Sequence, residues 1–361
     1  MSSPAPRPPR STPPASGCTA SSRGTSCTPT TWPPRASRSS PTYGGSSPVS
    51  EHRSPLLDLP GAVEADAPDA GVAAHYGSIV PEQRRLIAGE GFVDLSNREV
   101  FTVSGPDRLT WLHSLTTQHL ESLPADTWTD VLLLTPQGRI EFAFTGFDDG
   151  NDVFRAFTEP GAADDLIAFL DRMRFMSRVE VARDPEHVLI ATGAELMPRI
   201  IARDELADLP AELGRPAGTW AYEALRIEQG LPRLGLDTDD RSIPNEVGLL
   251  GRAVHLDKGC YRGQETVARV YNLGRPPRRL VRLLLDGSVD HLPAHGTDIL
   301  DGDKIVGQVG SSARHHELGP IALAVVKRNV DPAATLVADG VAASQEIIVD
   351  PDAGLHVRAA R

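Results

Sequence analysis

The part of the chain with the clearest chemical potential surrounds Cys260. It runs Asp257-Lys258-Gly259-Cys260-Tyr261-Arg262-Gly263-Gln264-Glu265, with glycines at 259 and 263 and with cations at Lys258 and Arg262. Glycines permit a close approach of the backbone, and nearby cations favour the thiolate, which is the form that attacks, oxidises or binds metal. The pattern predicts a reactive thiol. The alternative is a small buried hydrophobic side chain, the role of most lone cysteines.

The composition of the chain limits the kinds of partner that such a thiol could have. The 361 residues carry a formal net charge of −12, which argues against a nucleic-acid binder, because phosphate contacts need clustered Lys and Arg. No apolar run approaches the ~20 residues of a membrane span. Three cysteines are too few for a disulfide framework, so we expect a reducing, cytoplasmic location. Small molecules and proteins are the expected partners, rather than nucleic acid or membrane.

The chain divides into four parts by composition. Residues 1–50 hold 11 Pro and five Arg but no Asp, Glu or Lys, and we expect a disordered tail there. A misassigned start, with translation beginning near Val49, and an organelle transit peptide are the alternatives. Residues 51–78 are predicted to be a linker. An α+β domain is expected over 79–275 and a small β-barrel over 276–361.

Periodicity predicts the elements that would position the thiol. The expected helices are Pro81–Gly89, one that opens after Pro106, Ala162–Met176 and Thr219–Gln229. The expected strands of the first domain are Glu99–Ser104, Asp130–Leu134, Arg139–Phe147 and Val153–Thr158. The barrel strands are expected at Leu280–Leu285, Ile299–Leu300, Ile305–Val309, Ile321–Val326, Leu336–Val337 and Ile347–Val349. Turns between these short runs predict antiparallel pairing.

Two segments resemble a known family. Lys258-Gly259-Cys260-Tyr261-x-Gly263-Gln264-Glu265 is similar to the signature of the YgfZ family, which belongs to a wider superfamily with the glycine cleavage T-protein. Arg226-Ile227-Glu228-Gln229-Gly230-Leu231-Pro232, followed by Gly235 and Asp237, resembles a segment that the superfamily shares. The resemblance covers roughly residues 80–350. It implies an α+β fold class, with a folate-binding glycine cleavage T-protein-like domain followed by a small antiparallel β-barrel.

The resemblance also implies ligands and roles. It implies tetrahydrofolate or a related folate as cofactor, and iron–sulfur cluster assembly or repair as function, with iron–sulfur proteins or assembly factors as transient partners. It makes Cys260 the catalytic thiol and Lys258 its basic neighbour. The implied folate-binding residues are Arg226, Tyr222, Glu228, Gln264 and Glu265. Tyr222 lies one helical turn before Arg226, which suits an aromatic ring and a carboxylate of folate. Core packing is the alternative for Tyr222 and for Trp220.

The sequence departs from the transferase of this superfamily at one position. The T-protein needs a carboxylate close to folate, in an Asp-Asp pair after a Gly-Gly turn. Phe142 and Ala143 occupy those positions here, and Glu141 is one residue off, on the opposite face of a regular strand. We therefore expect a binding protein rather than a conventional enzyme. The alternatives are a folate-dependent aminomethyltransferase, which Glu141→Gln would inactivate, and a non-catalytic interaction module, in which Cys260→Ala would be silent.

No stably bound metal is expected. One cysteine is too few for an iron–sulfur cluster, which usually needs four ligands, so Cys260 would meet iron or sulfur only transiently. An acidic run lacks the spacing of a calcium loop and is interpreted as a solvated loop. That run comprises Asp237, Asp239, Asp240 and Glu246. The pair His315-His316 lacks an i, i+4 partner and is expected at the surface.

Overall fold

The computed structural model describes residues 52–355, so the predicted tail over 1–50 lies outside the described residues. The helices are α1 (Ile79–Ile87), α2 (Arg108–Leu115), α3 (Ala163–Arg172), α4 (Leu209–Glu212), α5 (Thr219–Glu228) and α6 (Gln264–Leu273). The strands are β1 (Val63–Glu64), β2 (Ala73–His75), β3 (Phe92–Asp94), β4 (Glu99–Ser104), β5 (Thr129–Leu134), β6 (Ile140–Asp148), β7 (Val153–Thr158), β8 (Glu180–Arg183), β9 (His187–Thr192), β10 (Met197–Ala202), β11 (Pro216–Ala217), β12 (Arg278–Leu285), β13 (Asp298–Asp301), β14 (Lys304–His315), β15 (Gly319–Lys327), β16 (Leu336–Ala338) and β17 (Val341–Ile347). Short 3-10 turns cover Pro55–Asp58, Arg203–Ala207 and Pro244–Glu246.

A five-stranded antiparallel sheet of order β5-β6-β7-β4-β8 carries the first core. Helices α2 and α3 pack on it, with Leu112, Leu166 and Leu170 against Phe101 and Phe154. The predicted strands of this sheet match β4 to β7 within one residue at each end. Helix α3 ends at residue 172, four residues before the predicted end, because the chain turns there through i→i+3 backbone hydrogen bonds.

A second, four-stranded sheet has the order β10-β9-β3-β11, with β11 parallel to β3. Helices α1 and α5 cover one face of it through Leu86 and Leu225. Residues 52–78 are not the linker that composition predicted. They form a 3-10 turn and the β1-β2 ribbon, because Leu56 and Val72 are buried and Leu56 packs against Phe92 of this sheet.

Strands β12 to β17 close into a six-stranded antiparallel barrel of order β12-β15-β14-β13-β16-β17. Along β12, Val281 and Leu283 fill the interior, whereas Leu280 packs outward with Ile227 of α5. The predicted antiparallel barrel is thereby confirmed, and with it the mixed α and β fold class. Its last strand covers Val341–Ile347 rather than the predicted Ile347–Val349. No helix within residues 52–355 combines the length and the apolar character that crossing a bilayer requires.

Candidate functional site

Cys260 is exposed and lies in the loop that leads into α6. Residues 258–263 are called the thiol loop below. A Cβ atom added at Gly259 would meet no atom within 4 Å, and its backbone is outside the left-handed region. The thiol is therefore open to reagents and partners, which is not the environment of a small buried hydrophobic side chain.

Lys258 anchors the start of the thiol loop. Its Nζ donates to the carbonyl oxygens of His113, Thr116 and Gln118, at 2.5, 2.6 and 3.0 Å, around the end of α2. The side chain is buried, and this burial lowers the pKa of Lys258 to about 8, with Glu121 acting in the opposite direction. The ammonium is thus engaged by backbone acceptors. Its catalytic role remains a prediction, and its evident role is to fix the loop.

The lowered pKa of Lys258 should make the free energy of unfolding depend on pH. Lys258 releases its proton near pH 8 in the folded chain but near its ordinary value of 10.5 when unfolded. Between these values the unfolded chain binds more protons, so the free energy of unfolding should rise with pH from about 8 to about 10. We expect this rise in the wild type and a smaller one in Lys258→Met. Urea unfolding of both proteins at pH 7, 8, 9 and 10 measures the difference, and parallel curves would contradict it.

The end of the thiol loop packs tightly on the β5-β6 hairpin. Gly263 has φ of 84° and precedes α6. A Cβ atom there would lie 2.5 Å from the carbonyl oxygen of Thr135 and 2.8 Å from Cα of Gly138. Gly138 is itself left-handed, with φ of 78°, and its own Cβ position lies 2.7 Å from Cβ of Thr266. Of the two glycines beside Cys260, only Gly263 is required by the backbone.

Arg262 links the thiol loop to β6. Its Nη1 donates to Oε2 of Glu141 at 2.8 Å, and its guanidinium lies 5.4 Å from the ring centroid of Phe169. Regular alternation would turn Glu141 away from Phe142, but the register shifts here and leaves Glu141 as the extra residue of a β-bulge. Such a bulge redirects a side chain. The carboxylate nearest to the transferase aspartate positions is therefore neutralised by a cation of the thiol loop.

Arg226 is fully buried and uses all of its N–H groups within the protein. Nε and Nη2 donate to Glu223, Nη1 to Asp237 and to the carbonyl of Leu231, and Nη2 also to Ser311 of β14. Burial opposes the charged form, but Glu223 and Asp237 outweigh it and raise the pKa of Arg226. No donor remains for a folate carboxylate, so this arginine is a structural cation that ties α5 to the barrel.

Arg226 belongs to a larger buried ion network that sequence reasoning missed. Its members are Asp69, Arg98, Glu159, Glu223, Arg226, Arg233 and Asp237. Arg233 pairs with Asp69, Glu159 and Glu223, each at 2.8 Å. Arg233 lies 164 residues from Asp69 and 74 from Glu159, so no local pattern could have brought these three together. The local signals were the i, i+3 spacing of Glu223 and Arg226 on α5 and the arginine directly after Pro232 in the shared segment.

The other residues of α5 have mixed environments. Tyr222 is half-buried against the core of the second sheet. Trp220 is 47% exposed and contacts the His75 ring at a tilt, so Trp220 is not a core residue. Glu228 is exposed, and its carboxylate lies 3.2 Å from Nε2 of His315. His315 was expected at the surface but is buried, because its Nδ1 accepts two backbone N–H groups in the β14-β15 turn.

The interpretation of the acidic run as a solvated loop holds for the exposed Asp240 and is wrong for the rest of the run. Asp237 and Glu246 are buried, and Arg278 of β12 binds both Asp239, at 2.7 Å, and Glu246, at 2.8 Å. The carboxylates of Asp237, Asp239 and Glu246 pair with arginines of the protein rather than with a metal cation from solution. Within residues 52–355, no group of three or more His, Cys, Asp or Glu side chains is arranged to hold a metal ion.

The predicted site residues fall in two places. Cys260, Lys258, Gln264 and Glu265 belong to the thiol loop and the first turn of α6. The remaining three, Tyr222, Arg226 and Glu228, lie on α5, which packs against β14 of the barrel and against α1. Gln264 is half-buried and Glu265 is exposed. The structure thus joins the thiol loop to the β5-β6 hairpin, and places the α5 residues beside the ion network.

Comparisons with known proteins agree with this architecture. Residues 278–359 match the family described as the glycine cleavage T-protein C-terminal barrel domain. An aminomethyltransferase of Streptomyces avermitilis is 24% identical over 322 residues, which cover 74% of this chain and 86% of that protein. The tRNA-modifying protein YgfZ of Yersinia enterocolitica is 23% identical over 249 residues, covering 57% and 74%.

A solved structure gives the same fold. The glycine cleavage system aminomethyltransferase T of Bartonella henselae superposes with a TM-score of 0.70 at 18% identity, covering 81% of this chain and 94% of that one. At this identity the likeness concerns the fold. The barrel match over residues 278–359 and the sequence relatives support the glycine cleavage T-protein superfamily for this chain.

Proposed function

We propose that this chain is a folate-binding protein that supports iron–sulfur cluster assembly or repair through the Cys260 thiol. The observation that carries the proposal is the exposure of Cys260 on a loop that is anchored on both sides. A fixed but accessible thiol can meet a partner's iron or sulfur and release it. Transient contact also agrees with Cys260 being the one cysteine within residues 52–355, since a resident cluster needs more ligands.

The proposal that the chain binds folate is based on the superfamily resemblance and on residues of and near α5. Tyr222 offers a half-buried aromatic ring for a pterin or benzoyl ring. Asn97, which donates to Asp69 of the ion network, has a buried Oδ1 atom without a hydrogen-bond partner. Such an acceptor suits an N–H donor of a pterin. We assign the polar folate contact to Asn97 rather than to Arg226, because the N–H groups of Arg226 already donate to other residues of the protein.

Titration with tetrahydrofolate tests the folate half. Trp220 is 47% exposed and lies two residues from Tyr222, so its fluorescence gives a signal close to the proposed contact of Tyr222 with folate. We expect saturable binding to the wild type and equal affinity in Cys260→Ser, because the thiol lies on another element. Tyr222→Ala should weaken binding about tenfold through loss of ring contacts. A wild type that shows no saturable binding would remove folate from the proposal.

A second candidate is a folate-dependent aminomethyltransferase. The relatives that carry that name favour it, including the one in Streptomyces avermitilis. The pairing of Glu141 with Arg262 weighs against it, because a neutralised carboxylate is a poor electrostatic partner for a reacting nitrogen. An aminomethyl-transfer assay with tetrahydrofolate decides between the two: turnover that Glu141→Gln abolishes would favour the transferase.

A further inference from the structure

Arg279 of β12 is the one buried arginine in the described part of the chain that has no carboxylate partner. The residue has no exposed surface. The other buried arginines each form at least one ion pair, and they are Arg98, Arg108, Arg226 and Arg233. A buried charge is costly unless it is paired, so the position of Arg279 needs an explanation of its own.

The guanidinium of Arg279 uses only part of its hydrogen-bonding capacity. Nη2 donates to the carbonyl oxygen of Val330 at 3.1 Å and to Oε1 of Gln345 at 3.0 Å. Nε and Nη1 are buried and have no hydrogen-bond partner within residues 52–355. Nε carries one N–H bond and Nη1 carries two, and buried donors that stay unpaired cost free energy. These N–H groups are therefore available to an acceptor.

The free donors lie at one end of the barrel. Alternation along β12 places Arg279 on the same side as Val281, which fills the interior. The β15-β16 loop, residues 328–335, covers this end. Val330 of the loop belongs to the interior core, and Nε2 of Gln345 donates to two carbonyl oxygens of the same loop. A ligand at Arg279 would be enclosed between the barrel interior and this loop.

The chain itself offers little negative charge to Arg279. Burial lowers the pKa of Arg279, and the exposed Asp350 opposes this effect without forming an ion pair. Outside residues 52–355, Glu51 is the only acidic side chain of the sequence. An anion from solution is therefore the simplest partner for this guanidinium.

We propose that the Arg279 end of the barrel binds a small oxyanion, either phosphate or a carboxylate. The N–H groups of a guanidinium match the oxygen atoms of both groups, and the burial of Nε and Nη1 restricts the ligand to a small one. The site is separate from the thiol loop and does not depend on the function proposed for Cys260. Binding to the folded chain alone stabilises it by mass action.

Urea unfolding at constant ionic strength tests the site, with inorganic phosphate or acetate replacing chloride. In the wild type, once the binding anion exceeds its dissociation constant, the unfolding equilibrium constant should fall about tenfold for each tenfold rise in its concentration. Arg279→Met should lack this dependence. In chloride it should be at least as stable as the wild type, because methionine fills the volume without burying a charge. Arg275→Met removes an exposed arginine beside β12, and this matched control should respond like the wild type.

A response to phosphate identifies a phosphate site, and a response to acetate identifies a carboxylate site. If Arg279→Met does not fold, Arg279→Lys replaces it in the test, because lysine keeps the charge and has fewer donors, so its response should be weaker than that of the wild type. The proposal is overturned if the wild type is equally stable in chloride, phosphate and acetate. It is also overturned if the Arg279 variants show the same anion dependence as the wild type.

Discussion

Arg226→Met is expected to lower the free energy of unfolding by about 3–5 kcal/mol. Methionine fills a similar volume but leaves the carboxylates of Glu223 and Asp237 without this partner. The Asp237 side chain has no exposed surface, so water cannot replace the guanidinium. The cost arises mainly from the charges that stay behind rather than from the lost contact itself.

Urea unfolding of the purified proteins measures this effect, with Arg241→Met as the matched control. Arg241 also pairs with carboxylates, but its side chain is 68% exposed, so its loss should change stability by about 0.5 kcal/mol or less. Equal losses in the two variants would show that the ion network is not the stabilising element that its burial indicates.

Gly263→Ala is expected to cost about 2–4 kcal/mol, whereas Gly259→Ala should be nearly neutral. Alanine at 263 must hold a left-handed backbone, with its Cβ atom 2.5 Å from the Thr135 carbonyl oxygen. Alanine at 259 meets no atom within 4 Å. The same change four residues apart therefore separates backbone strain from a general effect on the loop.

Unfolding midpoints of the two glycine variants provide the measurement. The thiol of Cys260 should remain reactive towards iodoacetamide in Gly259→Ala, because there is space for a methyl group at position 259. A neutral Gly263→Ala would mean that the loop does not pack on Gly138 as described.

Local patterns predicted much of the fold. The alternation of Glu99–Ser104 and the helical spacing of Leu166 and Leu170 each depend on neighbours within one element, so they could be recognised from the sequence. The segment over 52–78 could not, because its short apolar runs form a core only with Phe92 and other residues of the second sheet. The barrel was predicted as a class, although β17, in which Val341 is followed by two small alanines, was misplaced.

The site was predicted less completely than the fold. The Cys260 motif predicted a reactive thiol from local features, namely residue type and flanking glycines, and the structure places this cysteine at an exposed position. The partners of Arg226 and Arg262 are set by tertiary contacts, and the bulge at Glu141 breaks the alternation on which the strand argument relied. Charged residues that look like ligands in a sequence can therefore be committed to each other in the fold.

The proposed function requires the sulfur atom of Cys260. The most direct measurement is the activity of an iron–sulfur enzyme in cells that lack this protein and express either the wild type or Cys260→Ser at equal levels. Serine keeps the size and the loop, and removes only the sulfur. We predict that the wild type restores the enzyme and that Cys260→Ser leaves it at the level of the deletion. Full restoration by Cys260→Ser would show that the sulfur is not required.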